Sequence, residues 1–123
     1  MLYYNTNLGA ICALRARDGF IKWLALYERD KGSDWNNPAA HYYRDLAPCV
    51  YDRGRVFAAP ADSRQILALD AETGLVLWET SHAAEASQLL GVTGEHLIAA
   101  GDKVWWFQVE GGKLDCVWPP PGS

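Results

Sequence analysis

The chain has 123 residues, half of them hydrophobic, which is enough for one domain with a sizeable core. Its formal charge of −4 and pI near 5.2 offer no basic footprint for a nucleic acid or an anionic membrane surface. No apolar run approaches the roughly 20 residues that cross a bilayer. Cys12, Cys49 and Cys116 are odd in number and widely spaced, so no C-x-x-C pattern exists and they read as small buried hydrophobes.

Met1 to Asn7 has no basic segment followed by an apolar one, so it reads as strand rather than signal peptide. Strands are expected over 2–7, 10–16 and 20–28, the last two joined by the Arg17-Asp18-Gly19 turn. Residues 30–45 are polar, rich in Gly, Pro and Asn, and lack period-two alternation. They read as a loop longer than the roughly 12–15 residues beyond which loops in compact domains are usually functional or disordered. Four strands follow over 46–52, 55–61, 65–71 and 75–80, with turns at Asp52-Arg53-Gly54, Asp62-Ser63-Arg64 and Asp70-Ala71-Glu72-Thr73-Gly74. Ser81 to Ser87 is a crossover whose Ala83-Ala84-Glu85-Ala86 can wind into a single helical turn. Four more strands are expected over 88–93, 96–100, 103–109 and 113–118, ahead of a Pro-rich, linker-like tail at 119–123. Segments 66–69 and 104–107 are apolar on both faces, which suits sheets covered on both sides.

The chain repeats itself. Shifted by 55 positions, Ile11, Ala13, Leu14, Ala16, Gly19 and Trp23 fall without a gap on Ile66, Ala68, Leu69, Ala71, Gly74 and Trp78. Shifted by 38 the other way, Val104, Phe107, Val109, Glu110 and Gly112 take the same places. There Cys116 stands where Trp is expected, Trp118 comes two residues late, Gln108 replaces the Asp and Gly111 the Thr. The 30–45 loop accounts for nearly all of the difference between the two spacings.

The stretch APCVYDRGRVFAAPADSRQILALDAETGLVLWE, residues 47–79, resembles a blade of the PQQ-like, quinoprotein-type β-propeller repeat, whose hallmark is Ala-Leu-Asp-x-x-Thr-Gly-x-x-x-Trp. Residues 8–24 resemble it clearly and 88–118 more weakly. The resemblance implies an all-β, incomplete ring of four-stranded antiparallel blades, about 2.75 of them in eleven strands, since closed rings have typically 4–8. It divides one domain, 1–118, into a partial blade at 1–29, the 30–45 insertion, a complete blade at 46–81 and a last one at 88–118. It implies that Trp23 and Trp78 dock between neighbouring blades, that Gly19, Gly74 and Gly112 shape tight turns, and that Asp70 and Thr73 belong to the structural turn consensus. It further suggests a bacterial periplasm or cell envelope, if the chain is a segment of a longer exported protein.

Candidate chemistry is thin. By analogy with propellers, the 30–45 loop shares a rim with Thr6-Asn7, Asp62-Ser63-Arg64 and Gly101-Asp102. Its Trp35, His41, Tyr42 and Tyr43 either cover a blade edge or form a surface for a partner or ligand. His41 with Asp34 or Asp45 and Ser33 or Ser63 lacks a nucleophile elbow. Asp30, Asp34 and Asn36 lack the Gly and the distant Glu of a calcium loop. His82 and His96 read as isolated, structural or solvated histidines. The quinone-dependent dehydrogenases that share this repeat carry adjacent cysteines, a calcium site and a catalytic Asp, and no two cysteines adjoin here. The sequence is therefore expected to be a non-catalytic scaffold or interaction module without a cofactor. Such a module meets a protein partner, or itself, through its open blade flanks, with no nucleic acid and no membrane insertion. The alternative is a part of a quinone- or calcium-dependent oxidoreductase propeller.

Overall fold

Eleven strands form three antiparallel sheets in the computed structural model, which describes residues 1–6, 9–27, 49–60, 65–80, 86–101 and 103–119. Blade one holds β1 (Leu2–Asn5), β2 (Ala10–Leu14) and β3 (Ile21–Leu26), in that order. Blade two holds β4 (Val50–Asp52), β5 (Arg55–Ala58), β6 (Ile66–Asp70) and β7 (Val76–Thr80). Blade three holds β8 (Ala86–Thr93), β9 (His96–Gly101), β10 (Val104–Gln108) and β11 (Leu114–Trp118). Each sheet is a meander in which consecutive strands pair. The fold is all-β, and the described residues contain no helix. The helical turn expected over residues 83–86 is corrected at its last residue: Ala86 opens β8 and pairs with Gly101, because the strand continues through a register shift beside Gln88.

Directly paired residues share a face of a sheet, so the register shows how the blades are built. In blade one Tyr3, Ala13 and Trp23 form one row across the strands, and in blade two Phe57, Ala68 and Trp78 form the same row. The small central Ala lets the flanking rings meet over it. Centroids lie 6.1 Å apart for Tyr3 and Trp23 and 5.9 Å for Phe57 and Trp78. Next to this row the register slips by one residue in every blade, between Ala13 and Leu14, Ala68 and Leu69, and Trp106 and Phe107. The slip leaves Lys22, Leu77 and Asp115 as the unpaired residue of a bulge, which bends the outer strand just ahead of the indole position.

Blade three keeps the bulge and moves the indole. Its row is Ile98, Trp106 and Cys116, with the large ring on the central strand and the small residue on the outer one. The absence of Trp at 116 is thus a swap between two paired positions, Ala and Trp becoming Trp and Cys.

The core lies between the sheets in two layers. Ile11, Ala13 and Trp23 of blade one pack with Ala58, Leu67 and Leu69 of blade two. Phe57, Ile66 and Ala68 from the opposite face of blade two pack with Leu97, Ala99, Trp105 and Phe107 of blade three. Strand β6 is therefore buried on both faces, as its unbroken apolar run requires. Strand β10, expected to be covered on both faces as well, is covered on one: Trp105 and Phe107 are buried, whereas Val104 and Trp106 are half-buried.

Trp23→Ala is expected to cost about 3–5 kcal/mol, because the cavity it leaves sits between two sheets that cannot close over it. Trp118, exposed at 63%, should cost less than about 1 kcal/mol when changed to Ala. Thermal or urea unfolding of the two variants checks this, and equal losses would contradict the layer assignment.

Candidate functional site

The tight turn between the third and fourth strands of a blade is where the preceding blade makes contact. In blade two Asp70 shapes that turn, its Oδ1 accepting from the backbone N–H of Glu72 at 2.8 Å and of Thr73 at 3.2 Å. Thr73 Oγ1 accepts from Leu75 N at 3.3 Å, and Gly74 N donates to Asp70 O at 2.8 Å. Blade one does the same work with other residues: Asp18 Oδ1 accepts from Phe20 N at 3.0 Å, and Gly19 N donates to Arg15 O at 2.8 Å.

Into this turn the indole of the preceding blade inserts. Trp23 Nε1 donates to Ala71 O at 2.8 Å, and Trp78 Nε1 donates to Val109 O at the same distance. Both rings lie flat against a glycine of positive φ, +77° at Gly74 and +72° at Gly112. A methyl group at Gly74 would sit 2.6 Å from the Trp23 ring, and one at Gly112 would meet Trp78 in the same way. Glycine is therefore required twice over, for its backbone and for its missing side chain. Gly19 has the same backbone, φ +74°, with nothing within 4 Å of where a methyl would be. Its exposed turn is the same receptor, and no indole of the described residues lies on it.

Charge marks each joint as well. Glu72 of the blade-two turn pairs with Lys22 of blade one at 3.0 Å, and Glu110 of the blade-three turn pairs with Arg55 of blade two at 2.9 Å. Arg53 also reaches across, donating to Gly94 O at 2.7 Å, and Tyr3 stacks on Tyr51 at 5.6 Å. Burial, with Tyr51 adding to it, raises the Tyr3 phenol above its usual range.

His96, expected to be isolated, is 2.8 Å from Asp115 Oδ2, and Gln108 Nε2 donates to the same carboxylate at 3.0 and 3.2 Å. The His96 hydrogen bond, helped by Gln108, holds the Asp115 carboxyl below its usual range. The three cysteines are free and differ in setting, which corrects the uniform expectation: Cys12 is buried, Cys49 half-buried, and Cys116 exposed on the outer strand. Desolvation raises the Cys12 thiol and, with Cys12 nearby, pushes Cys49 up to about 12.

The loop residues Trp35, His41, Tyr42 and Tyr43 lie outside the described residues, as do Asp62-Ser63-Arg64 and His82. Among the described residues no three His, Cys, Asp or Glu side chains gather to hold a metal ion, and no helix is long and apolar enough to cross a membrane. What stands out is apolar surface. Leu2, Tyr4, Leu24 and Leu26 are each more than half exposed on the outer face of blade one, with Phe20 beside the empty Gly19 turn. The ion pairs were missed from sequence although Glu72 and Glu110 align. Their cations come from different strands, Lys22 from β3 and Arg55 from β5, so the repeat does not superpose them.

Blades of this build define a PQQ-like β-propeller repeat protein. The family model described as outer membrane protein assembly factor BamB matches residues 9–118, and the chain belongs to that family. Among solved structures, BamB from Moraxella catarrhalis is similar with a TM-score of 0.64 and 18% identity over 89% of this chain. A europium-containing methanol dehydrogenase aligns with TM-score 0.63 and 22% identity over 88%. A quinohemoprotein alcohol dehydrogenase from Pseudomonas putida aligns with TM-score 0.69 and 21% identity over 91%. The chain spans 30%, 21% and 18% of these three proteins, respectively. No curated protein matches it in sequence.

Exposed on the outer strand, Cys116 should be the one cysteine that a thiol reagent modifies in the folded chain near pH 8. Cys12 and Cys49 should react only on unfolding. Mass-mapped labelling decides it, and modification of Cys49 before Cys116 would contradict the burial described.

Proposed function

We propose that this chain is a non-catalytic interaction module of the PQQ-like propeller type, working through the flanks of its blades. The observation that supports this reading most is the outer face of blade one, where Leu2, Tyr4, Leu24 and Leu26 form a sheet surface with the same apolar character as the faces buried between blades. Apolar surface of this kind on a soluble domain marks a place of contact rather than of chemistry. Among the described polar groups, Lys22 with Glu72 and Arg55 with Glu110 tie blades together, and His96 and Gln108 brace Asp115 within blade three.

The family match agrees with this reading, since the family is described by an assembly factor, BamB. The dehydrogenase likeness bears on the fold alone. Titration of the purified chain with pyrroloquinoline quinone should give no saturable quenching of the tryptophan fluorescence at micromolar cofactor. Alcohols and sugars should not be oxidised with an artificial acceptor. Saturable quenching together with turnover would overturn the proposal in favour of an oxidoreductase.

A further inference from the structure

Among the described residues, blades one and three each have one face that no other described blade covers, and the two carry opposite charge at matching places. At both internal joints the acidic turn residue of the later blade, Glu72 or Glu110, meets a cation from the earlier blade. By the repeat, blade one carries Arg17 at that turn position. On blade three Asp115 occupies the bulge that Lys22 occupies in blade one. His96 stands opposite Gln108 as Arg55 stands opposite Asp70. His96 and Asp115 are 2.8 Å apart, so the two places from which cations reach the next turn converge on one spot, and there blade three offers a carboxylate. The described face of blade three thus carries the Asp115 carboxylate, hydrogen-bonded to His96 and Gln108, at the bulge where blade one carries Lys22, and the blade-one turn carries Arg17 where the later turns carry glutamate.

The apolar surfaces agree. Leu2, Tyr4, Leu24 and Leu26 lie exposed on the outward face of blade one. Trp118 is exposed and Trp106 half-buried on the outward face of blade three, where Val104 pairs with Trp118 and Trp106 with Cys116.

We infer that the last blade of one copy of this chain docks head-to-tail on the first blade of a second copy, seating Asp115 of one against Arg17 of the other. The contact reproduces the internal joint with its charges exchanged, which gives it a direction and disfavours face-to-face pairing of like flanks. It is heterologous, so it closes into a ring or extends, according to the rotation between copies. The inference rests on the interaction-module reading only in using the blade flank as the docking face. Its failure is separable, because a monomeric chain that also ignores quinone would leave that reading standing.

The test is charge reversal followed by light scattering coupled to size exclusion. The wild-type chain should run above its 13.7 kDa monomer mass at micromolar concentration. Arg17→Glu and Asp115→Arg, both at exposed positions, should each weaken association by about tenfold or more, since each sets like charges opposite one another. The double variant Arg17→Glu/Asp115→Arg should recover the association, and all variants should melt near the wild type when diluted to monomer. A wild-type monomer at every concentration, or association indifferent to both single reversals, or a double variant no better than either single, overturns the inference.

Discussion

An indole laid on a glycine turn of the next blade is the contact on which this structure depends. Twisted sheets stacked side by side leave a wedge between them, and a large flat ring with one donor fills it while giving its N–H a partner. Trp23 and Trp78 do this with the same geometry, each donating over 2.8 Å to a turn carbonyl and each forbidding a side chain at the glycine it covers. The rest of the repeat serves that contact. The central Ala makes room for the ring, the bulge at Lys22 or Leu77 turns the outer strand so that the indole leaves its own sheet, and Asp70 and Thr73 hold the receiving turn in shape.

Ion pairs at the joints are a weaker layer with a different role. Lys22 with Glu72 and Arg55 with Glu110 have well-exposed carboxylates, so each contributes at most about 1 kcal/mol. Such pairs set which surfaces accept one another more than how tightly they hold. Apolar packing then supplies the strength of a blade contact and charge supplies its direction. Blade three differs in both layers at once, with Trp106 and Cys116 in place of Ala and Trp, and Asp115 at the bulge where blade one has Lys22 and blade two has Leu77.

Most of the fold was legible in the sequence because its signals are local. Alternation, Gly-containing turns and the repeat of Ile66 to Trp78 located eleven strands, most of which the structure shortens at their ends, while β8 begins earlier at Ala86 and β9 runs on to Gly101. What escaped notice depends on pairing between strands. The bulges at Lys22, Leu77 and Asp115 are one-residue slips with no composition of their own. The exchange of Ala and Trp for Trp and Cys is invisible when copies are aligned along the chain, since its two halves lie ten residues apart at Trp106 and Cys116. The partnership of His96 with Asp115 likewise needs the register of β9, β10 and β11. Candidate surface residues were sought in the 30–45 loop for their aromatic content, yet the surface the described residues do present is a sheet face built from Leu2, Tyr4, Leu24 and Leu26, which read as ordinary strand residues.

The joint itself is tested most directly by adding one methyl group in two places. Gly19 and Gly74 share a backbone conformation, φ +74° and +77°, so Ala at either position carries the same strain of about 1 kcal/mol. Only Gly74 has an indole against it, where the added carbon would lie 2.6 Å from the ring. Measured by denaturant unfolding at dilutions where the chain is monomeric, Gly74→Ala should lose about 1–3 kcal/mol more than Gly19→Ala. Equal losses for the two variants would mean that the indole contact does not hold the blades together.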